Sequence, residues 1–135
     1  MSIEVKSFSE STEINEPNNA KVEAIVVGGQ RIMRLTLQPG WKWSNDIKPN
    51  VGTDSCKTKH LGVIISGEVH AVHDDGTSSS YKAGDAYSIE PGHDAWVVGS
   101  EPAICFEFHG EIGRAHGLNS SHQIISYAVF CLKKK

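Results

Sequence analysis

Seven histidines and three cysteines carry most of the chemistry that this sequence of 135 residues offers. Imidazole and thiolate are donors for a divalent cation, and imidazole also exchanges a proton near neutral pH. A cysteine activated by a histidine is a nucleophile, but nothing in the sequence places a base or oxyanion donors beside Cys56. The sequence contains no G-x-S-x-G, P-loop or dinucleotide fingerprint. His70 and His73 share one hairpin. His109, His116 and His122 are scattered through the C-terminal third and read as surface or hydrogen-bonded residues.

Positioning any of these side chains falls to β-strands. The stretch from His60 to Trp96 reads as four short strands separated by turns: Leu61 to Ile65, Glu68 to His73, Ser78 to Lys82 and Ala86 to Ile89. Between them lie Ser66-Gly67, Asp74-Asp75-Gly76, Ala83-Gly84-Asp85 and Glu90-Pro91-Gly92. Asp-Gly between alternating runs is a strong hairpin signal, because both residues tolerate the positive φ of a tight turn. A further strand starts near His93 and runs through Trp96 to Val98. Upstream, Lys21 to Val27 and Gln30 to Gln38 flank a Gly28-Gly29 turn, and Met33, Leu35 and Leu37 alternate with Arg34, Thr36 and Gln38. That period of two predicts a strand with one buried and one wet face. Ala103 to His109 is another strand, with Cys105 and Glu107 on one face and Phe106 and Phe108 on the other. Many short strands with turn chemistry between them predict an all-β sandwich or barrel.

The remainder of the chain frames this core. The length suits one domain with one core. Residues 1–20 form a polar N-terminal segment with a candidate edge strand at Ile3 to Phe8. Residues 41–59 read as an extended loop over one mouth of the barrel. Its Trp41 and Trp43 read first as plugs for the barrel end and second as surfaces on which a ligand stacks. Residues 111–135 form a C-terminal extension, whose apolar run Ile124 to Leu132 packs on the barrel or on a partner subunit. Thirteen Lys and Arg against sixteen Asp and Glu give a net charge of -3, which argues against a general nucleic-acid surface. No apolar stretch is long enough to span a bilayer, and no signal segment opens the chain, so a cytoplasmic location is expected. In that setting Cys56, Cys105 and Cys131 read as free thiols.

From about Arg31 to Phe108 the sequence resembles the cupins, small jelly-roll barrels defined by two motifs, G-x5-H-x-H-x3/4-E-x6-G and G-x5-P-x-G-x2-H-x3-N. Gly67 matches the closing glycine of the first. Gly84-Asp85 and Pro91-Gly92 match the opening and the turn of the second. The resemblance implies a single jelly-roll β-barrel over residues 21–110. It also implies a site of three histidines and one glutamate, and here this sequence departs from the pattern. His60 stands at the glutamate position, Thr53 and Ser55 (or Asp54 and Cys56) stand at the first two histidine positions, and Ala95 stands at the third.

On that frame His93, two residues before Ala95, shares its face, and so His60 and His93 are expected to meet inside the barrel. They read first as polar groups of a metal-free pocket that binds a small molecule, with Trp43 and Cys56 as further ligand-binding residues. They read second as metal ligands with Cys56, a set that suits zinc. The corresponding alternative function is a metal-dependent oxygenase or isomerase. A homodimer without nucleic-acid or membrane partners is expected from the resemblance and from the apolar run.

Overall fold

The computed structural model describes residues 2–109. Strands form where the alternation predicts them: β2 (Ala20–Val27), β3 (Gln30–Leu37), β4 (His60–Ser66), β5 (Glu68–His73), β6 (Ser78–Lys82), β7 (Ala86–Ile89), β8 (His93–Val97) and β9 (Ala103–His109). A three-residue β1 (Glu13–Asn15) precedes them. Every pairing is antiparallel. One sheet runs β1-β2-β3-β9-β4-β7, and a second runs β6-β5-β8. From β4 onward the chain passes repeatedly between the two sheets, as a jelly roll requires. The expected jelly roll is thus built from two antiparallel sheets whose ladders do not join into one ring.

Alternation sets which side chains face the core. In β9, Ala103, Cys105, Glu107 and His109 are buried, and the residues between them lie on the outer face. In β8 the buried set is His93, Ala95 and Val97. Met33, Ile64 and Val69 fill the space between the sheets with almost no exposure. Each such side chain contributes about 1.5–3 kcal/mol through removal from water.

Two glycine sites follow from backbone geometry. Gly28 and Gly29 both take positive φ, 60° and 78°, and connect β2 to β3 as a two-residue hairpin loop. Gly67, φ 76°, turns the chain from β4 in the larger sheet to β5 in the smaller one. A Cβ there would collide with the Pro102 carbonyl and with Ala103 Cα at the start of β9.

Two local expectations are corrected. Ile3 to Phe8 is not an edge strand. The N-terminal segment instead forms a single 3-10 turn at Phe8–Glu10, capped by the Ser7 side chain. The cap and the preference of serine for such turns outweigh the apolar alternation of Ile3 and Val5. Phe8 packs on Phe106 and beneath the Arg34 guanidinium, and so covers part of the outer face of the large sheet. The long loop 41–59 is also not without regular structure. It holds two single-turn helices, α1 (Trp43–Asp46) and α2 (Lys48–Val51), the second ended by Gly52 at φ 74°. Between them Ile47 is completely buried. Among the described residues no helix is long and apolar enough to cross a membrane. The C-terminal extension, with its apolar run, lies outside the described residues.

The two kinds of turn glycine make a comparison. Gly67→Ala should lose at least about 2 kcal/mol, since the new methyl meets main-chain atoms and the positive φ adds strain. Gly76→Ala has φ 96° but open space around the Cβ, and should lose about 1–2 kcal/mol from backbone strain alone. Urea denaturation of the two variants checks the order. Equal losses would remove the close-packed corner at Gly67.

Candidate functional site

The segment 41–59 is stitched to the free edge of β8 at both ends. The Val97 N–H donates to the Trp41 carbonyl (3.0 Å), and the Cys56 N–H donates to the His93 carbonyl (2.7 Å). This pairing brings Trp41, Trp43 and Cys56 over the gap between the sheets. There they meet His60 from β4, His93 from β8, and Tyr87 and Glu107 from β7 and β9 around one cavity of about 50 Å³. A water molecule needs about 10–15 Å³ on this measure, so the cavity holds an ion, a few waters or a molecule of few atoms. Sites for drug-sized ligands start near 300 Å³.

Glu107 is the electrostatic centre. Its Oε1 accepts from His60 Nδ1 (2.8 Å) and His109 Nε2 (2.9 Å), and its Oε2 accepts the Tyr87 hydroxyl (2.6 Å). A carboxylate only accepts, so both imidazole nitrogens carry the protons in these contacts. Burial pushes the acidity of Glu107 toward the neutral form. The charge of His60 and the hydrogen bonds of both histidines more than reverse this, and hold it well below the ordinary carboxylate range. Burial, with the negative charge of Glu107 added, drives the Tyr87 phenol far above its usual range and pushes the Cys105 thiol up to about 12, which makes both inert at physiological pH.

His60 and His93 lie with ring centroids 5.0 Å apart, nearly edge to face. The Nδ1–H of His93 donates to the Glu90 carbonyl (2.8 Å). Burial, followed by the neighbouring His60, lowers its pKa to about 4. This ring is therefore neutral, with its lone pair on Nε2. His60 spends Nδ1–H on Glu107, so in its neutral form the lone pair is again on Nε2, which faces the Cys56 sulfur at 3.7 Å. Donor atoms of Cys56, His60 and His93 lie within 4.8 Å of one another, as do those of His60, Glu107 and His109. The second group is already joined by its own hydrogen bonds. The first is the one with open lone pairs.

Cys56 carries a correction. It is disulfide-bonded, not a free thiol, and Cys131 lies outside the described residues. Cys105 is free and buried. A disulfide sulfur lends no thiolate to a metal, so Cys56 becomes a third ligand only when reduced.

Every residue singled out in the sequence therefore reaches this cavity: His60, His93, Cys56 and Trp43, with Trp41 beside them. Sequence reasoning missed the role of Glu107 and His109. The signal was present, because Cys105, Glu107 and His109 are two residues apart on one strand and share a buried face. Two polar residues on such a face must satisfy each other or something between the sheets. Among the described residues, both indoles of the 41–59 segment also leave their Nε1–H without a partner although buried. Each such unpaired donor costs about 1–3 kcal/mol.

Among known structures the chain is similar to oxalate decarboxylase from Lactobacillus farciminis in its formate complex. The TM-score is 0.57 at 16% identity, over 84% of this chain and 34% of that one. A variant of Bacillus subtilis oxalate decarboxylase aligns with TM-score 0.54 and 14% identity, over 80% of this chain and 29% of that one. The chain has the cupin fold. It spans only about a third of those enzymes, and at this identity the likeness concerns the fold alone. No family model matches the sequence, and no curated protein does. The cupin frame explains why β4 and β8 present their side chains to one interior. At this identity it says nothing of ligands.

The neutral, buried His93 has a consequence for stability. In metal-free protein, as pH falls from about 6.5 to about 4, the unfolded ring takes up a proton that the folded one refuses. Stability should therefore decline through that window, by about 3 kcal/mol from this group. Urea denaturation at stepped pH checks it. His93→Gln should flatten this part of the profile, and an unaltered profile would assign the loss to another group.

Proposed function

We propose that this chain is a small-ligand-binding cupin whose pocket takes a divalent metal ion between His60 and His93. One observation carries the reading: both rings have Nδ1 engaged, by a carboxylate and by a main-chain carbonyl, which leaves Nε2 of each for a ligand. Metal-binding histidines are held in this way, because the outer partner fixes the tautomer and raises ring basicity. The size of the cavity agrees, since it suits an ion with a water or a few-atom ligand.

Zinc is the ion we propose, as imidazole with thiolate suits it. When bound, it would supply Lewis acidity to whatever small molecule it holds. A cytoplasmic setting belongs to the same proposal, since a disulfide at Cys56 is a reversible state there and its reduction adds the third ligand. The enzyme alternative, an oxygenase or isomerase, has less support. Among the described residues Glu107 is the one carboxylate on the cavity, and its oxygens are engaged by three donors, so it is not placed to move a proton.

Calorimetric titration of dialysed, tag-free protein with zinc tests the proposal. One equivalent is expected, with binding weakened at least about tenfold in His60→Ala and in His93→Ala, a loss of about 1.4 kcal/mol or more. A phosphine reductant should tighten binding in the native protein, and Cys56→Ser should abolish that gain. Zinc binding indifferent to both histidine changes would end the reading.

A homodimer is also proposed. Leu61, Ile65 and Phe108 are exposed on β4 and β9 of the large sheet, an apolar outer surface of the kind that partners cover. Light scattering at micromolar concentration should give twice the chain mass, and Leu61→Lys combined with Phe108→Lys should return the monomer. A monomeric native protein would refute the dimer.

A further inference from the structure

His60, Glu107 and His109 bring donor atoms within 4.8 Å of one another without using any sulfur. His60 Nδ1 and His109 Nε2 stand 2.8 and 2.9 Å from the same oxygen, Glu107 Oε1. The two rings are nearly perpendicular, 85° between planes, with centroids 6.2 Å apart. Glu107 and His109 are buried, and His60 is half-buried.

Two imidazoles and one carboxylate are a common ligand set for zinc and for iron(II). Ligand atoms about 2.0–2.2 Å from such an ion lie about 3–3.5 Å from one another. Both contacts to Oε1 are close to that spacing, so those atoms need to part only slightly around an ion. An outer partner is also in place. The Tyr87 hydroxyl donates to Oε2 at 2.6 Å, and Oε1 is the oxygen left toward the rings. Carboxylates that bind metal are held by such partners.

At present the two ring nitrogens carry protons where an ion would bind. Each neutral ring can carry its proton on the other nitrogen instead, Nε2 for His60 and Nδ1 for His109. The exchange releases no proton overall and puts two nitrogen–metal bonds in place of two N–H···O hydrogen bonds. For His60 the new N–H faces the Cys56 sulfur at 3.7 Å. It also occupies the Nε2 that the site with His93 uses, so His60 serves one ion at a time.

We infer that His60 Nδ1, Glu107 Oε1 and His109 Nε2 form a second, alternative site for a divalent cation. It lies on the neighbouring strands β4 and β9 of the large sheet. It therefore needs neither β8 nor a reduced thiol, and it is independent of the site proposed above except for the shared His60.

Histidine labelled with ¹⁵N reports by NMR which ring nitrogen carries the proton. Unreduced His93→Gln protein is titrated with zinc, since in that variant the first site keeps a single imidazole. The expected result is one bound equivalent, with His60 changing from Nδ1–H to Nε2–H and His109 from Nε2–H to Nδ1–H. Adding His109→Gln, whose amide still donates to Glu107, should weaken zinc at least about tenfold. His93→Ala replaces His93→Gln if the latter does not fold, and the proton positions decide if the double variant does not.

No zinc binding in His93→Gln, binding that leaves both rings as they were, or equal affinity after His109→Gln overturns the second site. The two sites fail separately. Native protein that loads zinc with His60 still protonated at Nδ1, beside a His93→Gln variant that does not load, overturns the second site alone. Native affinity indifferent to His93→Gln, with both rings changing as expected, upholds the second site and ends the first.

Discussion

A fully buried carboxylate sits between the two sheets, and its neighbours are arranged around its need for donors. Glu107 cannot remain ionised there without compensation, because desolvation of an isolated charge exceeds the whole stability of a domain this size. Three donors from three places in the chain resolve the conflict: His60 on β4, Tyr87 on β7 and His109 on β9 itself. Each donor is thereby fixed. His60 in particular is held by Nδ1, so Nε2 is the atom it presents to the cavity. One desolvated charge thus sets the tautomer on which the proposed ligand chemistry depends.

The opposite wall is built differently. His93 is held by main-chain geometry, through the Glu90 carbonyl and the pairing of Cys56 with β8. The strip from Trp41 to Cys56 acts as an added edge to the small sheet and carries the indoles with it. Full burial of Ile47 anchors that strip in the core. The cavity is thus bounded by a rigid polar network on one side and by a segment tied to a strand edge on the other.

How much of this was legible in the sequence depended on the kind of information each feature needs. Strand positions followed from alternation and turn residues, which are local, and β2 to β9 fall where those signals lie. The convergence of His60 and His93 needed the family frame, since only topology relates β4 to β8. The jelly roll followed from the same signals, but its division into two ladders did not, because ladder continuity is set by hydrogen bonds between strands distant in the chain. The N-terminal strand was misplaced because a serine cap competes with weak alternation over six residues. His109 was set aside as scattered, although its spacing from Glu107 and Cys105 marked a shared face. A histidine counted alone carries little information, whereas a histidine two residues from a glutamate on a strand with apolar neighbours poses a question of charge compensation. The disulfide state of Cys56 could not follow from an odd cysteine count.

The positions at which the sequence departs from the pattern it resembles have a physical reading. The cupin frame conserves directions, not residues: certain strand positions point into the interior whatever occupies them. At the position equivalent to the family's third histidine this chain has Ala95, which is buried on the same face as His93. Moving the imidazole two residues toward the Pro91-Gly92 turn keeps it inward and shifts it along the strand toward Cys56, where the strip from residue 41 can cover it. A glutamate stands instead on β9, behind His60. The carboxylate thereby supports His60, and the proposal above turns on imidazole nitrogens whose lone pairs it and a main-chain carbonyl aim.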